Sequence, residues 1–211
     1  MKILVCGFSS FPGALRNPTE AMVRTLESDP RHGEAFHAAV LPVEWETSWP
    51  RLRTLIETLA PTSVVLFGLH KRAERLRIER VARNRRKLGQ ADATGAFPAG
   101  PAVLDGPEAL ACRMPWEAVT SALRGADVSF EWSSDAGGYL CNDTLYRLAF
   151  NADALGVRDF GFFHVPLSDE AAAQADEIEG MPEIFCSMPA ARIAAAALAL
   201  VDELGSGTAA V

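Results

Sequence analysis

The chain is 211 residues long, 49% hydrophobic, 22% charged and 8% aromatic. That balance excludes a disordered chain, a collagen-like fibre and a disulfide-stapled miniprotein, and the length allows a substantial core without such help. A net charge of −7 argues against a general nucleic-acid binder, although residues 71–87 hold nine cations and only two acids, Glu74 and Glu79.

In chain order, Ile3–Phe8 is an apolar run stopped by a Ser-Ser-Phe-Pro-Gly loop, the pattern of a buried strand. Asn17-Pro18-Thr19-Glu20 supplies a cap, a first-turn proline and a glutamate able to reach back, so a helix is expected from Pro18 to Leu26. Phe36–Leu41 reads as a strand. Trp49–Leu59 reads as an amphipathic helix, and Ser63–Phe67 as a strand closed by Gly68. Arg75, Arg77 and Glu79 alternate with Leu76 and Ile78, which suggests a short exposed or edge strand. Residues 84–108, rich in glycine and proline, read as a long ordered loop. Pro115–Leu123 is expected to be helical, Asp127–Trp132 a strand, Asn142–Leu155 a helix ended by Gly156, Asp159–Val165 the last strand, and Pro189–Leu204 a closing helix. Strands alternating with helices imply one α/β domain spanning residues 1–211. Its sheet is mainly parallel, helices cover both faces, and the chemistry sits beyond the carboxyl ends of the strands.

The thiols Cys6, Cys112, Cys141 and Cys186 are scattered with no C-x-x-C pair, against zinc-ribbon or thioredoxin-type chemistry. The first residues are too soon punctuated for a signal peptide, and no apolar run reaches the ~18–20 residues of a membrane span. Reduced thiols in a cytoplasm are the consistent reading. Cys141 stands apart. Two glycines, Gly137 and Gly138, deliver it to the expected start of a helix, where free N–H groups and the helix dipole favour an anion, lower a thiol's pKa and can hold an oxyanion. A buried structural cysteine is the commoner fate, and the other three are read so. A nucleophile needs a base. His32 lies in an exposed-looking turn, His37 starts a strand, His70 follows a strand end and could line a cleft, and His164 closes an apolar strand. Glu79 is a candidate to orient the imidazole, against the default of an arginine-paired surface glutamate.

Several ordered matches run nearly the length of the chain: Gly7-Phe8 with Phe11 and Gly13, Asn17-Pro18-Thr19, Leu41-Pro42-Val43, Gly68-Leu69, Ile78-Glu79-Arg80-Val81-Ala82 with Asn84, Gly106-Pro107, Ala136-Gly137 to Cys141-Asn142, and Phe163-His164-Val165-Pro166. In these the chain resembles the pyroglutamyl peptidase I family of cysteine peptidases. The resemblance implies a three-layer α/β/α sandwich, a Cys141–His164–Glu79 triad, no cofactor, no metal, a cytoplasmic location and a homo-oligomer of two or four chains. It implies hydrolysis of the amide after an N-terminal pyroglutamyl residue. The lactam-binding aromatics fall on Phe8 and Phe11, with Val43, Tyr139 and Leu140 as further substrate-binding candidates. Aromatic walls suit a flat, uncharged ring.

The chain also departs from the family pattern. Ser10 and Pro12 replace a proline and a glycine of the first loop, and His70-Lys71-Arg72-Ala73-Glu74 replaces a glycine-containing stretch. In Arg85–Gly95 the family's arginine has no clean counterpart, leaving Arg86 or Lys87 to substitute. Other readings are an amidase acting on another small cyclic or N-acyl amide, a catalytically silent binding protein on the same fold, and a nucleotide binder, which lacks both G-x-G-x-x-G and a Walker lysine.

Overall fold

The computed structural model describes residues 2–11, 16–173, 175, 178 and 181–206; Gly13 of the first-loop match and the Pro12 substitution lie outside them. Six strands form the main sheet: β1 (Ile3–Phe8), β2 (Phe36–Leu41), β3 (Ser63–Leu69), β4 (Leu76–Glu79), β7 (Phe130–Ser133) and β8 (Asp159–Val165). Their order is β2-β1-β3-β8-β4-β7. Neighbours pair in parallel except at β4 and β8, which are antiparallel. A short antiparallel pair, β5 (Val81–Arg83) with β6 (Ala109–Ala111), and a two-residue parallel pair, β9 (Leu167–Ser168) with β10 (Ser187–Met188), complete the strands.

Successive residues of each strand face opposite sides of the sheet, and each side carries its own core. Val5, Val65, Phe67, Ile78, Phe163 and Val165 face one side, against helices α1 (Pro18–Glu27), α3 (Trp116–Gly125) and α6 (Ala190–Ser206). Leu4, Cys6, Phe8, Leu66, Phe160 and Phe162 face the other, against α2 (Ser48–Leu59) and α4 (Leu140–Asn151). The expected three-layer sandwich is thus observed; a four-residue helix, α5 (Asp169–Ala172), lies outside it.

The expected cap of α1 is present, with Asn17 Oδ1 accepting from Thr19 N at 3.1 Å. Glu20, however, does not reach back to Asn17. Its Oε2 accepts from Ser10 N at 2.7 Å, tying the helix start to the loop that carries Phe11. Four other expectations need correction. β4 is not an edge strand: it lies between β8 and β7, with Leu76, Ile78 and Glu79 fully buried. Of the alternating charges, Glu79 is buried and Arg77 is partly covered beside it, while Arg75, ahead of the strand, is exposed. Gly68 does not close β3 but lies within it. Helix α4 begins at Leu140, two residues before the expected start, and β8 is followed by β9 and β10.

The long 84–108 segment is ordered around one side chain. Asn84 Oδ1 accepts from Val103 N and Leu104 N at 2.7 and 3.1 Å, while its Nδ2 donates to Leu104 O and Gly106 O at 2.8 and 3.1 Å. One amide thereby satisfies four backbone groups that no sheet or helix serves.

Candidate active site

His164 is the sixth residue of β8 and faces the α2/α4 side, as do Phe160 and Phe162 at even spacing. On the antiparallel neighbour β4, Glu79 pairs with Phe162 and Arg77 with His164. This stagger brings the Glu79 carboxylate diagonally under the imidazole: Nδ1 of His164 lies 2.9 Å from Glu79 Oε1, both side chains being buried. The antiparallel run of β4 is what turns its carboxyl end towards the middle of β8.

On the parallel neighbour β3, Gly68 pairs with His164. A Cβ at Gly68 would lie 2.9 Å from Cys141 Sγ and 2.7 Å from a Phe162 ring carbon. Only a glycine leaves the sulfur room to rest against the strand beside His164. Cys141 is the second residue of α4, whose cap residue Tyr139 has extended backbone and makes no side-chain capping bond. First-turn N–H groups are thereby left for another acceptor. The neighbouring Asn142 is fully buried and clamps the loop ahead of the site, donating to Arg83 O and Arg85 O at 2.8 and 2.9 Å and accepting from Arg83 N at 2.9 Å.

Electrostatics differ from the sequence expectation at one point. The helix start does not yield a depressed thiol pKa: burial, with the Glu79 carboxylate adding to it, pushes Cys141 up to about 12, and only its own N–H lowers it. Burial acts on Glu79 in the direction of neutrality, but His164, Ser133 and Arg77 outweigh it and hold the carboxyl below its usual range. Cys6 and Cys112 are buried and pushed up, Cys112 to about 12, as expected of structural thiols, whereas Cys186 is exposed. His37 is half-buried as expected. His32 is not exposed: it is partly covered, its ring stands against Phe36 and His37, and its Nε2 makes no hydrogen bond.

The five expected wall residues divide in two. Phe11 and Tyr139 are partly exposed with ring centroids 6.4 Å apart. Phe8, Val43 and Leu140 are buried beneath them, Phe8 against Phe162 at 6.2 Å. The wall continues through residues the sequence did not single out. Trp45 stands edge-on to Tyr139 at 5.3 Å, its indole Nε1 without a hydrogen bond. Arg86, not Lys87, reaches this wall. Its guanidinium lies 5.8 Å from the Trp45 ring centre and its Nε donates to buried Asp143 Oδ1 at 2.7 Å, with Arg147 Nε on the other oxygen at 2.8 Å. Lys87 contributes only its backbone here, donating to Gly138 O at 2.7 Å. Asp92 fixes the loop by accepting from Trp45 N at 2.9 Å and from Thr94 and Ala96 N–H groups. Much of the basic run is thus built into the site's frame, with Arg85 likewise paired to Asp135.

A thiol at an uncapped helix start, resting against the strand residue that pairs with His164, and a buried imidazole held by a carboxylate form an arrangement that can support acyl transfer through a thioester. Among the described residues no group of three His, Cys, Asp or Glu is arranged to hold a metal ion, and no helix is long and apolar enough to cross a membrane.

A family model described as pyroglutamyl peptidase matches residues 1–203. The pyrrolidone-carboxylate peptidase of Oceanobacillus iheyensis is 31% identical over 173 residues, covering 81% of this chain and 86% of that protein. That of Clavibacter michiganensis is 32% identical over 210 residues, 98% of each chain. Among solved structures, the pyrrolidone carboxyl peptidase of Fervidobacterium islandicum matches with a TM-score of 0.86 at 25% identity, covering 97% of this chain and 98% of its own. The chain belongs to the pyroglutamyl peptidase family.

Proposed function

We propose that this protein removes an N-terminal pyroglutamyl residue by hydrolysing the amide bond that follows it, with Cys141 as nucleophile, His164 as acid and base, and Glu79 as the group that orients His164. The observation that carries the reading is the buried 2.9 Å contact of His164 Nδ1 with Glu79 on the sheet face where Cys141 Sγ rests against Gly68.

With Nδ1 engaged by Glu79, Nε2 of His164 is left to take the thiol proton. The thiolate attacks the pyroglutamyl carbonyl carbon, forming a C–S bond, while first-turn N–H groups of α4 hold the developing oxyanion. As the C–N bond breaks, His164 returns the proton to the leaving amine. Water then gives a proton to His164 and attacks the thioester, releasing pyroglutamate and restoring the thiol. Phe11 and Tyr139 offer ring faces to the lactam, with Phe8, Val43 and Leu140 as the floor beneath. On the family resemblance we also assign it to the cytoplasm and to a homo-oligomer, which sedimentation would measure.

The test is hydrolysis of a pyroglutamyl fluorogenic amide by the wild type and Cys141→Ala under reducing conditions. Turnover that disappears in the variant supports peptidase and nucleophile together. No turnover, with Cys141 still alkylated in a His164-dependent way, discards the lactam and leaves an amidase for another small cyclic or N-acyl amide. Neither turnover nor His164-dependent alkylation leaves a silent binding protein.

A further inference from the structure

One cation beside Glu79 has no part in the steps above. Arg77 precedes Glu79 by two residues on β4 and so shares its face. Its Nε lies 3.7 Å from Glu79 Oε1 and 3.5 Å from Glu131 Oε1 of β7. One terminal nitrogen donates to Ser133 Oγ at 2.9 Å, and the other is 3.4 Å from His70 Nε2. The His70 ring stands edge-on to the His164 ring at 5.3 Å. Through the sheet register Arg77 is the direct partner of both His164 and Glu131. The guanidinium therefore lies near the carboxylate that serves the imidazole and against His70, whose ring covers that imidazole together with the Phe162 ring at 4.7 Å.

We propose that Arg77, seated by His70 and Glu131, is a positioning residue of the catalytic centre, holding Glu79 ionised and loosening the grip of the Cys141–His164 pair on its protons. The inference rests on the Cys141–His164–Glu79 reading. Its physical core is simple: a fixed cation near an acid favours proton loss, whichever member of the coupled pair the proton leaves. The groups facing that pair are Glu79 and Arg77 from β4, His70 from the end of β3, Cys141 itself from α4, and Glu131 of β7 acting through Arg77. The Arg77 cation offsets part of the Glu79 charge that faces the pair. His70 is held uncharged first by burial and then by the neighbouring His164 and Arg77, with Glu79 opposing them.

The readout is the acidic limb of two pH profiles, iodoacetamide alkylation of Cys141 and kcat/KM on a pyroglutamyl amide, measured in full-length protein with Cys186→Ser removing the exposed thiol. Arg77→Met is expected to move the limb up by about one pH unit, the lower end of the range for a neighbouring charge. Arg77→Lys keeps the charge and holds the limb within about 0.2 unit, and Glu131→Gln, by freeing Arg77 of a counter-charge, moves it down by about 0.3 unit. Should Arg77→Met fail to fold, Glu131→Gln at a part-exposed carboxylate still decides the matter. A limb unmoved by the variants that fold overturns the proposal, even where the rate falls. Alkylation that shifts as expected in a protein that does not cleave the amide supports Arg77 while sinking the pyroglutamyl reading. Alkylation of Cys141 no faster than in His164→Ala removes the catalytic pair on which the proposal stands.

Discussion

The two halves of the site are built on different principles. The half we propose to react, Cys141 over Gly68 with His164 and Glu79, is assembled from β3, β8, β4 and the first turn of α4. Its geometry is set by strand register, with Gly68 opposite His164 on one side and Glu79 staggered by two residues on the other. The half we propose to bind, Phe11, Trp45, Tyr139 and Arg86, comes from loops held by side chains, chiefly Asn84, Asp92 and the Arg86–Asp143–Arg147 cluster. A sheet cannot shift one residue without turning every side chain to the other face. A loop can exchange its contacts one at a time. That contrast lets residues 85–95 vary on the loop wall while the groups set by strand register stay in place.

Breaking the sheet-built half should have the largest effects. His164→Ala removes the acceptor for the thiol proton and the donor to the leaving amine, and is expected to lower kcat about 10³-fold or more, read as steady-state turnover with the fold checked by circular dichroism. Gly68→Ala should cost about 10²-fold in kcat through displacement of the sulfur alone. Its added methyl would meet Cys141 Sγ and Phe162 at under 3 Å. An unchanged kcat in Gly68→Ala would mean that the sulfur position is not set by β3.

Much of this half was legible in the sequence. Glycines ahead of Cys141 marked a helix start, and an apolar strand ending in His164 marked a carboxyl-end position, because both signals are local. Glu79 stood only as one candidate against the default of an arginine-paired surface glutamate until the family resemblance singled it out. Alternation of Arg75, Arg77 and Glu79 looks like a solvated edge when the strand is read alone, and only the placement of β7 outside β4 buries it. The thiol pKa was misjudged for the same reason: a helix start is visible in sequence, whereas burial against β3 and the nearness of Glu79 are tertiary facts. Trp45 and the choice between Arg86 and Lys87 were illegible, since a loop side chain's direction depends on the distant partners Asp143, Tyr139 and Asp92.

Breaking the loop-built half should act on binding and stability more than on chemistry. Arg86→Ala leaves buried Asp143 with Arg147 as its remaining cation. A loss of about 2 kcal/mol is expected, below the ~3–5 kcal/mol of a fully orphaned buried charge, together with a raised KM and a kcat within a factor of two or so. Denaturant unfolding and steady-state kinetics measure the two effects. Phe11→Ala, removing one ring face from the lactam site, should raise KM by roughly 5–10-fold, in line with ~1 kcal/mol for an aromatic contact, and leave stability nearly unchanged. A fall in kcat with unchanged KM in Phe11→Ala would move Phe11 from the wall to the reacting half.

The smallest effect is expected where the two descriptions meet, at His70, which closes a strand yet occupies a position at which the family pattern is rewritten. Burial first, then the neighbouring His164 and Arg77, hold its imidazole down at about 4, with Glu79 opposing them. Between about pH 6.5 and pH 4 the unfolded chain binds a proton at this position that the folded chain refuses, so the folded state loses stability as the pH falls through that window. Glu79, held below its usual range, loses its contribution further down, as the pH falls below the ordinary carboxylate value and through its own lowered one. The two windows separate the residues. His70→Gln should flatten the upper part of the acid destabilisation by about 1 kcal/mol, a figure reduced for its partial exposure, while leaving the steeper loss at lower pH in place. Urea unfolding at half-unit pH intervals reads this directly. A His70→Gln curve parallel to the wild type between pH 6.5 and 4 would show that His70 charges freely in the folded protein, in which case Arg77 does not reach it.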